Sequence, residues 1–364
     1  MQNNRFLHVL LQITLLMYLM YKAISVSLWI NIDRQFPLVP IISIPDDLLQ
    51  HIDLVVNSLS VIFILLVVLF PRRKIILLLF IIIEISSLAL DQMRWQPLPF
   101  QVVILFIAVY FSPKRSETFF YAILVATYFY SGLNKLNPGF NNLIWSKTLL
   151  IDWLSIPAEI AYYKWVKLCG YGIGMAELLL GLGLLTRWRK YAQIGLIFMH
   201  IFLLVFLLNT GKNAVIIPWN ILMILYLSYF WLTQSRPSTR YLWKPISLRL
   251  LMIVLFILPI LRFVDAYPPY FSYDLYSGND KHLFLYTDDE QYRSVADQRF
   301  AGYYVVDRKY AVPMTNWALN ELNVPVPPDT RLFYQLKDTL ALTSDSDLIY
   351  TFFPYRQQDC RVLE

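Results

Sequence analysis

Cysteine, histidine and charge are all scarce in this chain. Its 364 residues include 2 cysteines and 4 histidines, and charged side chains make up 15%, where a soluble domain carries about a quarter. Cys169 and Cys360 are too few and too far apart for a Cys-x-x-Cys site or a disulfide framework, and two free thiols are expected. His8, His51, His200 and His282 are widely separated, and only His200 falls near the middle of an apolar run. Haem, which needs paired inward histidines, and a multi-histidine metal site are therefore not expected. A Gly-rich phosphate loop, a Gly-x-Ser-x-Gly elbow and a basic amphipathic stretch are also missing, which argues against nucleotide, hydrolase and nucleic-acid functions.

What is abundant is apolar surface. Hydrophobic residues reach 57% and aromatics 16%, with a mean hydropathy of +0.50. This composition predicts an all-α polytopic membrane bundle whose first partner is the lipid bilayer. Runs long enough to cross about 30 Å of hydrocarbon fall at 6–30, 53–70, 74–93, 99–112, 117–136, 165–186, 190–209, 214–233 and 249–265. The first run is no cleaved signal peptide, because it contains Lys22, continues to Trp29 and meets no small-residue cleavage pattern.

Basic residues set the expected orientation. Arg72, Arg73 and Lys74 share one connection, Lys114 and Arg115 another, Arg187, Arg189 and Lys190 a third, and Arg236, Arg240, Lys244 and Arg249 a fourth. These are alternate loops, and the loops between them hold fewer cations, offset by Asp33, Asp46, Asp47, Asp152 and Glu159. Nine crossings, a cytoplasmic N-terminus and a C-terminus on the outer face are expected. Residues 1–265 form the membrane domain. Residues 266–364 carry an acidic excess and turn signals such as Ser277-Gly278-Asn279, and predict a small soluble α+β domain on the outer side. The alternating run Gly302-Tyr-Tyr-Val-Val-Asp-Arg308 reads as a strand and 315–324 as a helix stopped by Pro325, Pro327 and Pro328.

Polar residues within the spans concentrate toward the outer side: Lys22, Asp91, Gln92, Arg94, Gln101, Lys135, Asn209, Asn220 and Arg262, with Glu84, Glu177 and His200 nearer the middle. Such a set lines a one-sided polar cavity, or else stitches helix ends to the outer domain. Lys22 and Arg262 can snorkel to the interface, and Asp91 and Arg94, three apart, can pair with each other. Pro218-Trp219-Asn220 is expected to interrupt the eighth span. Lys135 is the most informative position, because desolvation of a lysine favours the neutral amine, the form that acts as a base. Glu177 lies in Gly174-Met-Ala-Glu-Leu-Leu-Leu-Gly-Leu-Gly183, whose small residues allow close helix approach. Lys135, Glu177 and His200, on three successive spans, form the expected catalytic set.

The segment Tyr128-Phe-Tyr-Ser-Gly-Leu-Asn-Lys-Leu-Asn-Pro-Gly-Phe140 resembles the Tyr-Phe-x-Ala-Gly-x-x-Lys-Leu segment of the horizontally transferred transmembrane domain family, which includes the vitamin K-dependent gamma-carboxylase. Leu90-Asp-Gln-Met-Arg-Trp-Gln-Pro97, the segments around Glu177 and His200, Pro218-Trp-Asn220 and Leu275-Tyr-Ser-Gly-Asn279 are similar to bacterial members. The resemblance implies nine spans and Lys135 as base toward a reduced naphthoquinone, menaquinone or vitamin K-like. Oxygen would convert the deprotonated hydroquinone into a stronger base, which removes a proton from a glutamyl side chain that then adds carbon dioxide. Asp91, Gln92, Arg94, Trp219 and Asn220 would line the quinone pocket. Asn134 stands where the animal enzyme has a second lysine.

Three function classes remain open on these grounds. One is a quinol-linked enzyme, and another a non-enzymatic subunit or export factor that binds envelope proteins through residues 266–364. The third is a transporter or proton relay using Glu84, Glu177 and His200, disfavoured by the apolar cytoplasmic half.

Overall fold

A computed structural model describes residues 2–32, 34–211, 213–234, 242–278, 281–287, 304–306, 309–340, 347–352 and 361–363. Asp33, Arg236, Arg240, Asn279, Cys360 and the ends of the 302–308 run lie outside the described residues. The chain is mostly helical. Its long helices are α1 (Gln2–Ile24), α2 (Asp46–Leu69), α3 (Lys74–Leu90), α4 (Pro97–Phe111), α5 (Ser116–Asn134), α6 (Lys164–Gly183), α7 (Arg189–Thr210), α8 (Ile217–Thr233) and α9 (Ile246–Phe256). Among the described residues, six helical stretches are long and apolar enough to cross a membrane: Leu7–Ile24, Asp46–Leu69, Lys164–Gly183, Arg189–Thr210, Ala214–Thr233 and Ile246–Val264.

The other three helices differ for a physical reason. α3 has 17 residues and α4 has 15, and fifteen residues rise only about 22 Å, short of the hydrocarbon thickness. α4 and α5 bury nearly every side chain against neighbouring helices, so protein rather than lipid surrounds them. Such a helix can carry Gln101, Thr127, Tyr128 and Ser131 facing partners instead of a uniform apolar surface.

Proline fixes where several helices begin. Pro97 and Pro218 occupy first turns, and Pro45 and Pro245 immediately precede α2 and α9. A first turn has no use for the missing N–H. Pro218 therefore starts α8 and breaks nothing, contrary to the expected interruption. Asn220 Nδ2 donates to the Ile216 carbonyl at 2.9 Å. Between α5 and α6, Phe140–Trp153 forms a wide helix of the i→i+5 type, a rare form that apolar periodicity does not announce.

Residues beyond 265 build an antiparallel sheet of β1 (Lys281–Thr287), β2 (Tyr304–Val306), β3 (Lys309–Pro313), β4 (Asp347–Phe352) and β5 (Arg361–Val362) in the order β2-β3-β1-β4-β5. Leu285 pairs with Val312 on one side and Leu348 on the other. Helices α10 (Met314–Glu321) and α11 (Thr330–Thr339) cover it, and Asp329 caps α11 by accepting from the Arg331 amide at 3.0 Å. Trp317, Phe333, Leu336 and Leu348 belong to a core continuous with that of the bundle.

The sheet domain is bound closely to the helices. Glu321 accepts from the amides of Gln35 and Phe36, Phe36 meets Trp317 edge-on with centroids 5.0 Å apart, and Asn323 Nδ2 donates to the Ile24 carbonyl. Gln96 reaches the Pro325 carbonyl, and Phe271 stacks on Phe100 at 4.3 Å. Within the sheet, burial pushes the His282 ring down to about 4 from an ordinary value near 6.5. The unfolded chain takes up that proton first, so stability present above about pH 6.5 falls as the pH drops toward 4. Thermal unfolding followed across this range is expected to show the loss, and His282→Gln to flatten it.

Candidate functional site

The central feature is a helix crossing built on glycine. A β-carbon placed on Gly132 of α5 would lie 2.3 Å from the Leu178 backbone nitrogen of α6, and one on Gly181 would lie 2.9 Å from the Phe129 nitrogen. Gly174 faces the Lys135 β-carbon. The two backbones thus touch, which small residues alone permit. Tyr128, Ser131 and Lys135, spaced i, i+3 and i+7, share one face of α5, and Glu177 projects from α6 between Gly174 and Gly181.

Lys135 caps the end of α5. Its Nζ donates to Glu177 Oε2 at 2.6 Å and to Ser131 Oγ at 2.6 Å, and the two charged side chains are 15% and 6% exposed. A contact this short between opposite charges is a charge-assisted hydrogen bond, largely shielded from water.

His200 lies on α7 and joins the same region from the side. Its Nε2 is 2.8 Å from the Tyr128 hydroxyl and its Nδ1 is 2.7 Å from Asn220 Oδ1. Since Asn220 uses its amide NH2 on Ile216, its oxygen faces the ring. Nδ1 then carries the hydrogen, and Tyr128 donates to Nε2. The geometry makes His200 a neutral acceptor fixed in one tautomer. Trp219 Nε1 donates to Gln101 Oε1 at 2.8 Å, and Gln101 Nε2 donates to Thr127 Oγ1 at 2.9 Å. Lys135 and Glu177 therefore meet directly, while His200 and Asn220 join the same face of α5 one step removed through Tyr128, and Trp219 reaches the adjoining Thr127 through Gln101.

Asp91, Gln92 and Arg94 join a different network. Arg94 grips Asp53 with both terminal nitrogens, at 2.7 and 2.9 Å, and donates to the carbonyls of Leu28 and Ser87. Asp91 pairs with Arg34 at 2.8 Å and accepts from the Met93 amide. Gln92 bonds Gln335 of the sheet domain. Asp91 and Arg94 do form the expected pair, Nε to Oδ2 at 3.9 Å, but each has a shorter ion pair elsewhere, Asp91 with Arg34 and Arg94 with Asp53.

Snorkelling is corrected for Lys22. Lys22 turns inward, 3.2 Å from Glu84 and 3.6 Å above the Trp29 ring, while Tyr18 donates to Glu84 at 2.6 Å and Ser60 completes the carboxylate's shell. Arg262 bonds Asp274 and Asp265, each at 2.7 Å. Asp53 and Tyr128 are functional neighbours that apolar run length does not mark. Tyr128 carries a signal, its spacing to Ser131 and Lys135, whereas the apolar run begins at Asp53, which lies two turns inside α2.

Asn134 and Leu136, on either side of Lys135, line a cavity of about 330 Å³ shared with Asn137, Arg262, Asp274 and Lys281. Among the described residues, no three His, Cys, Asp or Glu side chains come together as a metal ion would require. A buried lysine–glutamate pair beside a cavity thus sits at the end of a helical bundle whose class is that of a protein with membrane-length apolar helices. No family model, curated protein or solved structure matches the chain.

Proposed function

We propose that this chain is a multi-pass membrane enzyme in which Lys135 takes a proton from a lipid-soluble acid, a reduced naphthoquinone such as menaquinol. The observation that carries this reading is the 2.6 Å contact of Lys135 Nζ with Glu177 Oε2 in a site almost closed to water. Passing one ammonium proton to Glu177 would leave an amine whose lone pair can accept the hydroquinone hydroxyl proton, and Ser131 holds that amine in place. The resemblance of Tyr128–Phe140 to the carboxylase-like family supplies the substrate class. His200, locked by Asn220 and Tyr128, orients the tyrosine beside the pair and is a positioning residue.

In the same reading all nine long helices cross a bacterial inner membrane. The basic loops at 72–74, 114–115 and 187–190 face the cytoplasm, and the sheet domain faces the periplasm. α4 and α5 cross within the protein interior, where neighbouring helices take the place of lipid. The close docking of the sheet domain favours this enzyme over a partner-binding subunit, because Glu321, Asn323 and Gln335 are already engaged with the bundle.

Organic extraction of the purified protein followed by mass spectrometry is expected to recover a naphthoquinone. Oxygen uptake with reduced menaquinone should fall about 100-fold or more in Lys135→Met, the usual worth of a positioned base, with unchanged elution and helicity. Uptake equal to that of the unaltered protein would overturn the assignment of Lys135.

A further inference from the structure

Beside the Lys135 site, and independent of any role for it, the cavity between helices and sheet has a chemistry of its own. Its polar lining is Asn134, Asn137, Arg262, Asp265, Asp274 and Lys281. Two cations thus face two anions in a formally neutral, charge-separated cleft.

The partners are unequally satisfied. Arg262 spends Nε on Asp274 and Nη1 on Asp265, and its Nη2 donates to no described residue. Lys281 Nζ gives one hydrogen to Asp265 at 3.0 Å and one to Thr330 at 2.7 Å, leaving a third. Asp274 is 3% exposed, and its Oδ1 has no hydrogen-bond partner. Burial pushes the Asp274 carboxyl above its ordinary range, and Arg262 and a hydrogen bond from Ser277 pull it back only in part. Arg262 thus serves one oxygen of the buried acid and leaves Oδ1 without a donor.

The cleft is also the head of an apolar strip. α9 tightens into the turns Leu258–Val264, and Ile257, just before them, and Ile260, Phe263 and Val264, within them, stand 49–70% exposed. Phe263 lines both the strip and the cleft. A polar recess that opens onto an exposed hydrocarbon-like edge fits an amphiphile better than a wholly soluble ligand.

We propose that this cleft binds the phosphoethanolamine headgroup of a phospholipid, with the ammonium on Asp274, the phosphate on Lys281 and Arg262, and the acyl chains along Ile257–Val264. Its formal neutrality fits a zwitterion rather than an anionic lipid. Asp274 Oδ1 accepts a hydrogen bond, which a primary ammonium provides and a quaternary one cannot. The cavity volume falls at the low end of the range for small-ligand sites, about 300–1,000 Å³, which suits a headgroup.

The test is native mass spectrometry of the full-length protein released from detergent. It is challenged with equimolar phosphatidylethanolamine, phosphatidylcholine and phosphatidylglycerol of identical chains. Phosphatidylethanolamine is expected to be retained over phosphatidylcholine by roughly tenfold, the worth of one hydrogen bond to a charged group. Asp274→Asn, which keeps an acceptor for Arg262, should bring the two close to parity, and Lys281→Gln should weaken both while preserving their order. Equal retention of the three lipids, or a preference for phosphatidylglycerol, would overturn the proposal. Displacement of bound lipid by free phosphoethanolamine would overturn the lipid as occupant, since the chains are argued to hold it. If Asp274→Asn does not fold, the selectivity of the unaltered protein decides the matter alone.

Discussion

Arg94→Met is expected to destabilise the bundle by about 3–5 kcal/mol, the usual result of removing one partner of a buried ion pair. The guanidinium and Asp53 are both fully shielded from solvent. Methionine fills much of the same volume but offers nothing to the carboxylate, the Leu28 carbonyl or the Ser87 carbonyl. Asp53 would keep only Asn57, whose amide donates to it at 3.0 Å. The damage should spread, since Asn57 also accepts from Ser87 at 2.7 Å, tying α2 to α3. Unfolding in mixed micelles measures the loss. The double variant Arg94→Met/Asp53→Leu should recover most of it, because removing both charges removes the desolvation penalty with them. A single variant as stable as the parent would show that Arg94 and Asp53 do not hold each other as ions.

That network also shows what the sequence could and could not reveal. Apolar run length located the helices, because lipid-sized hydrophobic stretches leave few alternatives, and proline marked several of their starts. Lys135 and Glu177 were legible as neighbours because glycine and alanine around an acid signal close approach. Asp53 was hidden by a boundary: α2 starts at Asp46, which carries Asp53 inward to where Arg94 can reach it. Lys22 was hidden by a rule about lipid-facing helix ends, and its side chain instead follows Glu84 and the Trp29 ring into the protein. The Phe140–Trp153 helix and the docking of Glu321 on Gln35 and Phe36 depend on contacts distant in sequence, which no local pattern encodes.

The second large effect is expected at a residue that touches neither charge of the site. Gly132→Ala places a methyl group 2.3 Å from the Leu178 nitrogen and 2.8 Å from the Gly174 carbonyl oxygen, positions that only a shift of α5 away from α6 can relieve. Overpacking of this kind costs about 1–3 kcal/mol. Here it should also part Lys135 from Glu177, because their 2.6 Å contact spans the same crossing one turn away. Gly172→Ala on α6 is the matched control, for nothing lies within 4 Å of its added methyl, and it should leave unfolding in micelles and quinol-dependent oxygen uptake unchanged. The prediction therefore separates two meanings of small residues on α6. Where the backbones touch, glycine sets the distance between base and acid; where they do not, it sets nothing. Equal stability and equal uptake in the two variants would show that the crossing is looser than its geometry, and that the Lys135–Glu177 pair does not depend on it.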